Sequence, residues 1–276
     1  MVKNTHPGMS PTPAMEESTK QLLRQLATRF ETESFMNGDP SWFMHQVRGR
    51  TNQEVMGFIA ATLSYGSRKQ FMPKISLILE ASHGEPSDWI LRGGYEEAFP
   101  SSEKSFYRLY SYARMRSYFE VLRELLCGYG SLEAFAREAV TTRSTADTDV
   151  VAVLKALTSY FQRHGLKGIV PLPVSSLCKR PCMWMRWMVR DHSPVDLGLW
   201  SHFVDKRNLL IPLDTHVVQM ARNLKLIGNQ SPTWKTVVSL SQSLSEVFPD
   251  DPARGDFALF GYDVMRPAAH NQHETA

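Results

Sequence analysis

The sequence predicts an all-α protein, and two observations support this fold class. Apolar residues recur at helical spacing in segments between residues 16 and 264. Most of these segments are bounded by Pro, Gly or polar residues of the kinds that cap or end helices. The chain has 276 residues, of which 42% are hydrophobic and 21% are charged, so it can bury one substantial core or two lobes that share a cleft.

The N-terminal half contains long helical patterns separated by short breaks. Residues 1–14 are rich in Pro, Ser and Thr and are predicted to be disordered. A first helix is predicted over residues 16–30, and a second begins at a capping box, residues 51–54, and ends at residue 65. Residues 102–126 predict one long helical stretch, kinked or split. Its aromatic side chains alternate with arginines, which is typical of a core face with a solvated flank, and contact with bases or phosphates is the alternative.

The C-terminal half is predicted to hold the remaining helices. They cover residues 132–140, 150–163, 183–190, 215–227, 234–247 and 252–264. A long irregular link over residues 164–173 separates two of them. Gly261 would allow two helices to approach closely. We expect one helical domain over residues 15–266, followed by a frayed C-terminal tail, residues 267–276.

The segment from Asn208 to Ile227 carries the most informative carboxylate. Pro212 disfavours a helical conformation at the residue before it, so the chain is expected to arrive at Asp214 in an extended conformation. Asp214 or Thr215 can then cap a helix that has one apolar face. An N-cap that accepts backbone N–H groups is the common role of such an aspartate, and a catalytic carboxylate is the alternative.

A lysine is expected at the entrance of another helix. Pro181 fits within the first turn, where its missing N–H group costs little, so Lys179 is predicted at the helix N-terminus. The positive end of the helix dipole disfavours a protonated amine at this position. A lysine that attacks carbon must be neutral for part of the time, so the position favours a nucleophile. Lys179-Arg180 is also one of several basic pairs, and Arg180 is a candidate for contact with nucleic acid; each pair alone is more typical of solvated surface.

A basic turn lies at the start of the third predicted helix. Ser67 opens this helix, and Arg68, Lys69 and Gln70 form its first turn, directly after Tyr65. Unpaired N–H groups and partial positive charge at a helix N-terminus favour contact with phosphate. The net charge of only +3 permits a nucleic-acid partner without requiring one. A plain turn between two helices is the alternative.

Residues 212–217, Pro-Leu-Asp-Thr-His-Val followed by an amphipathic helix, resemble the segment of helix-hairpin-helix DNA glycosylases that carries the catalytic aspartate. The match falls on Asp214, with Thr215 and His216 after it. Bifunctional glycosylases pair such an aspartate with a lysine, which gives that role to Lys179. The resemblance implies a two-lobed, all-helical fold that binds damaged double-stranded DNA.

The stretch from Ala61 to Gln70 more loosely resembles the glycosylase turn that inserts into the duplex beside the damaged nucleotide. This resemblance implies that Tyr65 and Gln70 are the inserting residues. The chain departs from the family in residues 164–173, where the short Leu-Pro-Gly-x-Gly hairpin of these glycosylases is absent.

The wide spacing between Lys179 and Asp214 resembles the archaeal 8-oxoguanine DNA glycosylase branch. Further likeness lies in four blocks, residues 179–190, 195–200, 210–217 and 256–261. They resemble an uncharacterised bacterial family of about this length that belongs beside that branch. The likeness covers most of residues 20–262.

The cysteines argue against a cluster or a disulfide framework. The chain has three cysteines, Cys127, Cys178 and Cys182. Three thiolates are too few for the four that an iron–sulfur cluster needs, and an odd number of cysteines cannot all pair in disulfides. His192 and His202 could join two of these cysteines at a zinc ion, but their spacings match none of the usual ligand pairs. We therefore expect no iron–sulfur cluster, no metal site and no cofactor.

Hydropathy argues against a membrane protein. No uncharged apolar run approaches the roughly 18 residues that a membrane span requires. The first residues lack the apolar core of a secretory signal. A cytoplasmic location is the default expectation.

These observations lead to one functional hypothesis and two alternatives. The hypothesis is a DNA repair glycosylase with associated lyase activity that excises an oxidised purine such as 8-oxoguanine, using Lys179 as the nucleophile and Asp214 as its partner. The first alternative is a non-catalytic DNA- or RNA-binding protein in which Asp214 only caps a helix. The second is a monofunctional glycosylase in which Asp214 activates water.

Overall fold

A computed structural model describes residues 15–265 of the chain. This part is mostly helical, as the sequence predicts. Its α-helices are α1 (Glu17–Phe30), α2 (Arg50–Leu63), α3 (Arg68–Ala81), α4 (Pro86–Leu91), α5 (Tyr95–Ala98), α6 (Tyr112–Tyr129), α7 (Leu132–Thr141), α8 (Asp149–Arg163), α9 (Lys179–Val189), α10 (Thr215–Asn223), α11 (Trp234–Ser245) and α12 (Gly255–Met265). The predicted disordered tail, residues 1–14, and the predicted frayed end, residues 267–276, lie outside the described residues.

Short elements connect the helices. Two strands, β1 (Ser105–Tyr107) and β2 (Tyr110–Ser111), pair antiparallel. Short segments of 3-10 helix cover Glu33–Met36, Pro40–His45, Lys206–Asn208 and Pro252–Arg254. Residues 164–178, between α8 and α9, form an irregular link, which is five residues longer than the predicted link over residues 164–173.

The predicted helical stretch over residues 102–126, kinked or split, is wrong over its first ten residues. The chain forms the β1–β2 hairpin before α6 begins. Aromatic side chains favour a strand, and Arg108 adopts a left-handed conformation with φ of 50° that a helix does not allow. Ser111 then caps α6 by accepting a hydrogen bond from the Arg114 N–H at 3.1 Å. Most of the aromatic residues in this region belong to the core, namely Phe106, Tyr107, Tyr110, Tyr118 and Phe119.

The predicted capping box at the start of α2 is also wrong. α2 is preceded by Gly49, which has a φ of 85° and makes no side-chain cap. Glu54 turns into the core, where its carboxylate accepts hydrogen bonds from Trp200 Nε1 at 2.9 Å and from the Glu133 N–H at 3.2 Å. Burial, only partly offset by these donors, raises the pKa of Glu54. Hydrogen bonds to Trp200 and Glu133 therefore hold the Glu54 side chain in the core, so it does not cap the start of α2 as the local sequence pattern predicts.

Helix α9 runs through the centre of the core. Every residue from Pro181 to Val189 is buried, because the helix packs against α2 on one side and α8 on another. Gly57 on α2 permits close contact, since a Cβ atom there would lie 3.2 Å from the Met188 side chain. At the other end of the chain, α1 packs along α12, and a side chain at Gly261 would collide with the ring of Phe30. The predicted close approach at Gly261 is confirmed.

No helix within residues 15–265 is long and apolar enough to cross a membrane.

Candidate active site

The side chains of Lys179 and Asp214 meet at the surface of the protein. Lys179 Nζ lies 3.0 Å from Asp214 Oδ2. The lysine side chain is 36% exposed and the aspartate side chain 28% exposed, so a ligand can reach both groups. Each group stands at the N-terminal end of a helix, α9 for the amine and α10 for the carboxylate. An accessible amine beside a carboxylate is the arrangement that proton transfer and nucleophilic attack on carbon require.

The backbone before α9 fixes the position of Lys179. Cys178 precedes the helix with a φ of 50°, a conformation that few residues other than glycine adopt. Its N–H donates to Ser176 Oγ at 3.1 Å, and its thiol donates to the Pro171 carbonyl at 3.4 Å. Burial raises the pKa of the Cys178 thiol to about 11, so the thiol stays protonated at neutral pH and serves as a packed anchor. Pro181 lies in the first turn, as predicted.

Asp214 caps α10 and contacts Lys179 at the same time. Its Oδ1 atom accepts a hydrogen bond from the Val217 N–H at 2.9 Å, while Oδ2 faces the amine. Burial alone would raise the pKa of Asp214, but the Lys179 ammonium, the Val217 N–H and nearby His216 outweigh burial and hold the pKa below its usual value. Thr215 and His216 follow on the exposed first turn of α10. Asp214 is therefore a carboxylate at neutral pH.

Asp256 is a second acidic group near this pair, and sequence reasoning missed it. Its carboxylate forms an ion pair with Arg186 on α9. Burial and the negative charges of Asp214 and Asp39 outweigh Arg186 and Lys179, which raises the pKa of Asp256 to about 6. An aspartate in the first turn of a helix ordinarily indicates dipole compensation, so only its membership of the 256–261 block could have singled it out.

Two buried arginines hold α9 in place. Arg186 and Arg190 are each only 2% exposed. Both form ion pairs with Asp196, and Arg190 also contacts Asp251 and Glu31 at 2.8 and 2.7 Å. Glu31 ends α1, and Asp251 precedes the 3-10 turn Pro252–Arg254 that leads into α12, so the network joins α9 to elements near both ends of the described chain. The helix that carries the lysine is thus rigidly fixed within the core.

The basic turn is exposed, as a nucleic-acid contact requires. Ser67, Arg68, Lys69 and Gln70 all lie on the surface at the start of α3, which begins at Arg68 as predicted. No side chain caps this helix end. Arg68 lies 3.7 Å from Asp39, a long contact that leaves the arginine side chain 57% exposed. The first turn of α3 therefore offers two accessible cations.

Arg180 and Tyr65 are engaged within the protein. The Arg180 guanidinium donates to the Thr62 carbonyl at 2.5 Å and to the Tyr110 hydroxyl at 2.9 Å. The same guanidinium lies 5.3 Å from the centre of the Tyr65 ring, which is half-buried and packs against Tyr107. Both residues thus join the start of α9 to the β1–β2 hairpin and to the turn after α2. Neither side chain is presented to solvent in the way that Gln70 is.

Residues 15–265 contain no group of three or more His, Cys, Asp or Glu side chains that could hold a metal ion. Cys127 is exposed, whereas Cys178 and Cys182 are buried beside each other at the start of α9. His192 and His202 contact carboxylates, those of Asp191 and Glu133, rather than the cysteines.

Residues 39–265 match the model of one protein family, DUF2400, which is described as a protein of unknown function. The chain belongs to the DUF2400 family. The match includes Lys179, Asp214 and Asp256, together with the whole network around α9. No curated protein and no solved structure matches this DUF2400 chain. Its function must therefore be argued from the site itself.

Proposed function

We propose that the protein is a DNA repair glycosylase with lyase activity, acting on an oxidised purine such as 8-oxoguanine in double-stranded DNA. The observation that carries the proposal is the 3.0 Å contact between an accessible lysine amine, Lys179, and an accessible carboxylate, Asp214. The two residues are far apart in sequence, and the fold brings them together at the ends of two helices. The resemblance to helix-hairpin-helix glycosylases assigns a nucleophile and its assisting carboxylate to the same two positions.

The helical arrangement around Lys179 supports the same proposal. Helices α8 and α9 with the link between them form two helices joined by an irregular connection, and the lysine begins the second helix. The link lacks the usual glycine-rich hairpin sequence. Its backbone is nevertheless ordered by contacts to neighbouring helices: Thr158 on α8 donates to the Pro171 carbonyl at 3.0 Å, and Arg114 on α6 donates to the Lys167 carbonyl at 2.6 Å.

The reaction begins with transfer of a proton. A carboxylate 3.0 Å from the amine stabilises the ammonium form of Lys179, so the amine must lose a proton before it can attack. Asp214 accepts that proton and frees the lone pair on Nζ. The lone pair forms a bond to C1′ of the sugar, and the electrons of the glycosidic bond leave with the base. The departing base takes up the proton from Asp214.

The second stage opens the sugar. Asp214, negative again after the base has left, stabilises the positive charge on the nitrogen now bonded to C1′ and accepts one proton from it. The nitrogen lone pair then forms a second bond to C1′ as the bond between C1′ and the ring oxygen breaks, and the oxygen takes up the proton from Asp214, which leaves a Schiff base. The released base or an amine removes a proton from C2′, which expels the 3′ phosphate and cleaves the strand.

DNA must present its sugar to these two groups. The glycosidic carbon cannot be reached inside a stacked duplex, so the target nucleotide must rotate out of the helix. The exposed basic turn, residues 67–70, supplies cations for the DNA backbone beside the site. Thr215 and His216 lie next to the carboxylate on the surface and are further candidates for contact with DNA.

Trapping with borohydride tests the proposal, since borohydride reduces a Schiff base to a stable covalent bond. Duplexes containing 8-oxoguanine or an abasic site are the substrates. We expect wild-type protein to form a covalent complex and Lys179→Ala to form none. Lys206→Ala is the matched control, because Lys206 pairs with Asp191 at 2.6 Å and is 30% exposed, much like Lys179, but lies outside the site.

The two alternatives give different results in the same assay. Release of free base without trapping by wild-type protein indicates a monofunctional enzyme, in which Asp214 activates water and Lys179 contacts phosphate. Binding without base release or trapping contradicts both enzymatic proposals. That result supports the remaining alternative, a nucleic-acid-binding protein in which Asp214 only caps α10 by accepting the hydrogen bond from the Val217 N–H.

A further inference from the structure

The tip of the β1–β2 hairpin exposes a leucine. Leu109 is 84% exposed, more than any other large hydrophobic side chain in the described residues. It follows Arg108, whose left-handed conformation turns the chain between the strands. Its neighbours Tyr107 and Tyr110 are buried. When a partner covers a leucine that is exposed at a hairpin tip, apolar surface is removed from water, and this stabilises the complex.

Contacts with the turn after α2 hold this tip in place. The Leu109 N–H donates to the Tyr65 hydroxyl at 3.4 Å, and that hydroxyl donates to the Tyr107 carbonyl at 3.2 Å. The Tyr107 hydroxyl donates in return to the Tyr65 carbonyl. The Arg108 guanidinium lies against Gly66, whose φ of 80° and lack of a Cβ atom allow this close contact. The leucine is thus presented on a braced loop, which lowers the entropic cost of inserting it into a partner.

The surface around the leucine is basic. Arg108 is exposed beside it, and its guanidinium lies 5.7 Å from the centre of the Tyr65 ring. The turn that braces the hairpin continues into α3, whose first residues, Arg68 and Lys69, are exposed cations. An apolar side chain beside an exposed cation, on a loop braced by a turn that leads into further exposed cations, fits a partner with an apolar interior and an anionic edge. Duplex DNA, with stacked bases between two phosphate backbones, has this chemistry.

The hairpin is joined directly to the helix that carries Lys179. Arg180, the next residue, donates to the Tyr110 hydroxyl of β2 and lies over the Tyr65 ring. The hairpin that carries Leu109 and the helix that begins with Lys179 therefore contact each other directly, through Arg180, Tyr110 and Tyr65.

We propose that Leu109 inserts between base pairs of duplex DNA, next to the nucleotide that is rotated into the Lys179–Asp214 site. This inference rests on the proposed function. The leucine replaces Tyr65 as the inserting residue, because the tyrosine is held within the chain by the contacts given above. Insertion buries Leu109 among bases and fills part of the space that the rotated nucleotide leaves, while Arg108 and Lys69 contact the backbone.

Binding to duplexes that contain a stable abasic-site analogue tests this assignment. Fluorescence anisotropy measures affinity across a range of salt concentrations for wild type and three variants, Leu109→Ala, Lys69→Ala and Leu77→Ala. Leu77 is the matched control, since it is a leucine 37% exposed on α3. We expect Leu109→Ala to bind about tenfold more weakly with an unchanged salt slope, because the variant loses apolar burial and no charge. Lys69→Ala should instead lower the salt slope by about one.

A fluorescent purine analogue placed beside the abasic site reports the insertion itself. Wild-type protein and Leu77→Ala should raise its emission by unstacking it, and Leu109→Ala should not. Single-stranded DNA should bind Leu109→Ala and wild type equally, because no base pair is available for insertion. Thermal unfolding of Leu109→Ala should match wild type, since the side chain makes few contacts within the chain.

The outcomes separate this assignment from the proposed function. Unchanged duplex affinity and unchanged emission in Leu109→Ala overturn the insertion even if borohydride trapping succeeds. Selective loss of duplex binding in Leu109→Ala supports the insertion even if no protein is trapped, in which case only the glycosylase proposal fails. A wild-type protein that binds no duplex overturns both and points to a protein partner for the leucine.

Discussion

Replacing Asp214 with asparagine separates the two contacts that this side chain makes. The asparagine oxygen can still accept the hydrogen bond from the Val217 N–H, and Asn and Asp are about equally good N-caps. The ion pair with Lys179 is lost. Because both partners are about one third exposed, the loss should lower the free energy of unfolding by roughly 0.2–1 kcal/mol. Asp214→Ala also removes the cap and should cost about 1 kcal/mol more.

Thermal and urea unfolding measure these differences. In a chain of this size, about 1 kcal/mol corresponds to a change of roughly 2–4 °C in the melting temperature. The contribution of the ion pair also depends on pH with a defined sign. Since the pKa of Asp214 is lowered in the folded protein, the stability difference between wild type and Asp214→Asn is present above about pH 4 and disappears as pH falls through the lowered pKa.

The same variants are then assayed for release of 8-oxoguanine from duplex DNA. Asp214→Asn cannot accept a proton, so we expect base release to fall by at least about 100-fold while the fold is nearly unchanged. A fully active Asp214→Asn would refute the reasoning and leave Asp214 as a helix cap. An Asp214→Asn protein as unstable as Asp214→Ala would show that the charge, rather than the hydrogen bond to Val217, holds the start of α10.

Three further predictions concern the scaffold around the site. Gly261→Ala should lower the free energy of unfolding by roughly 1–3 kcal/mol in urea titrations, because the new methyl group collides with Phe30. Arg190→Ala should lower it by roughly 3–5 kcal/mol, because buried carboxylates lose their partner, whereas Arg207→Ala in an exposed pair should match wild type. Because burial raises the pKa of Asp256 to about 6, its carboxyl favours the folded state below about pH 4, and this contribution is lost as pH rises from about 4 to 6; in urea titrations the free energy of unfolding of wild type should therefore fall relative to that of the non-titrating Asp256→Asn as pH rises across that range.

Helices with a clear apolar face and a nearby cap could be predicted from the sequence. The start of α10 is an example, because Pro212 forces an extended approach and Asp214 is the first residue able to cap. The start of α9 follows in the same way from Pro181. Both predictions depend on chemistry within a few residues of the helix end, which the sequence contains in full.

The β1–β2 hairpin could not be predicted by the same reasoning. Phe106, Tyr107 and Tyr110 are spaced as plausibly for a helix as for a strand, and the turn between them contains no glycine or asparagine. Residues distant in sequence stabilise the hairpin. The Tyr65 hydroxyl accepts a hydrogen bond from the Leu109 N–H in its turn, and the Arg180 guanidinium donates one to the Tyr110 hydroxyl. Local spacing cannot reveal a conformation that tertiary contacts choose.

The meeting of Lys179 and Asp214 likewise depends on residues outside both motifs. Their proximity follows from the position of α9, which Arg190 fixes against Glu31 and Asp251 near the two ends of the described chain. With the two helices in these positions, the carboxylate oxygens of Asp214 make different contacts. Oδ1 caps α10, and Oδ2 faces the Lys179 amine. A role as helix cap is therefore compatible with the proposed role in proton transfer. The hydrogen bond from the Val217 N–H that stabilises α10 also orients the Asp214 oxygen that faces Lys179.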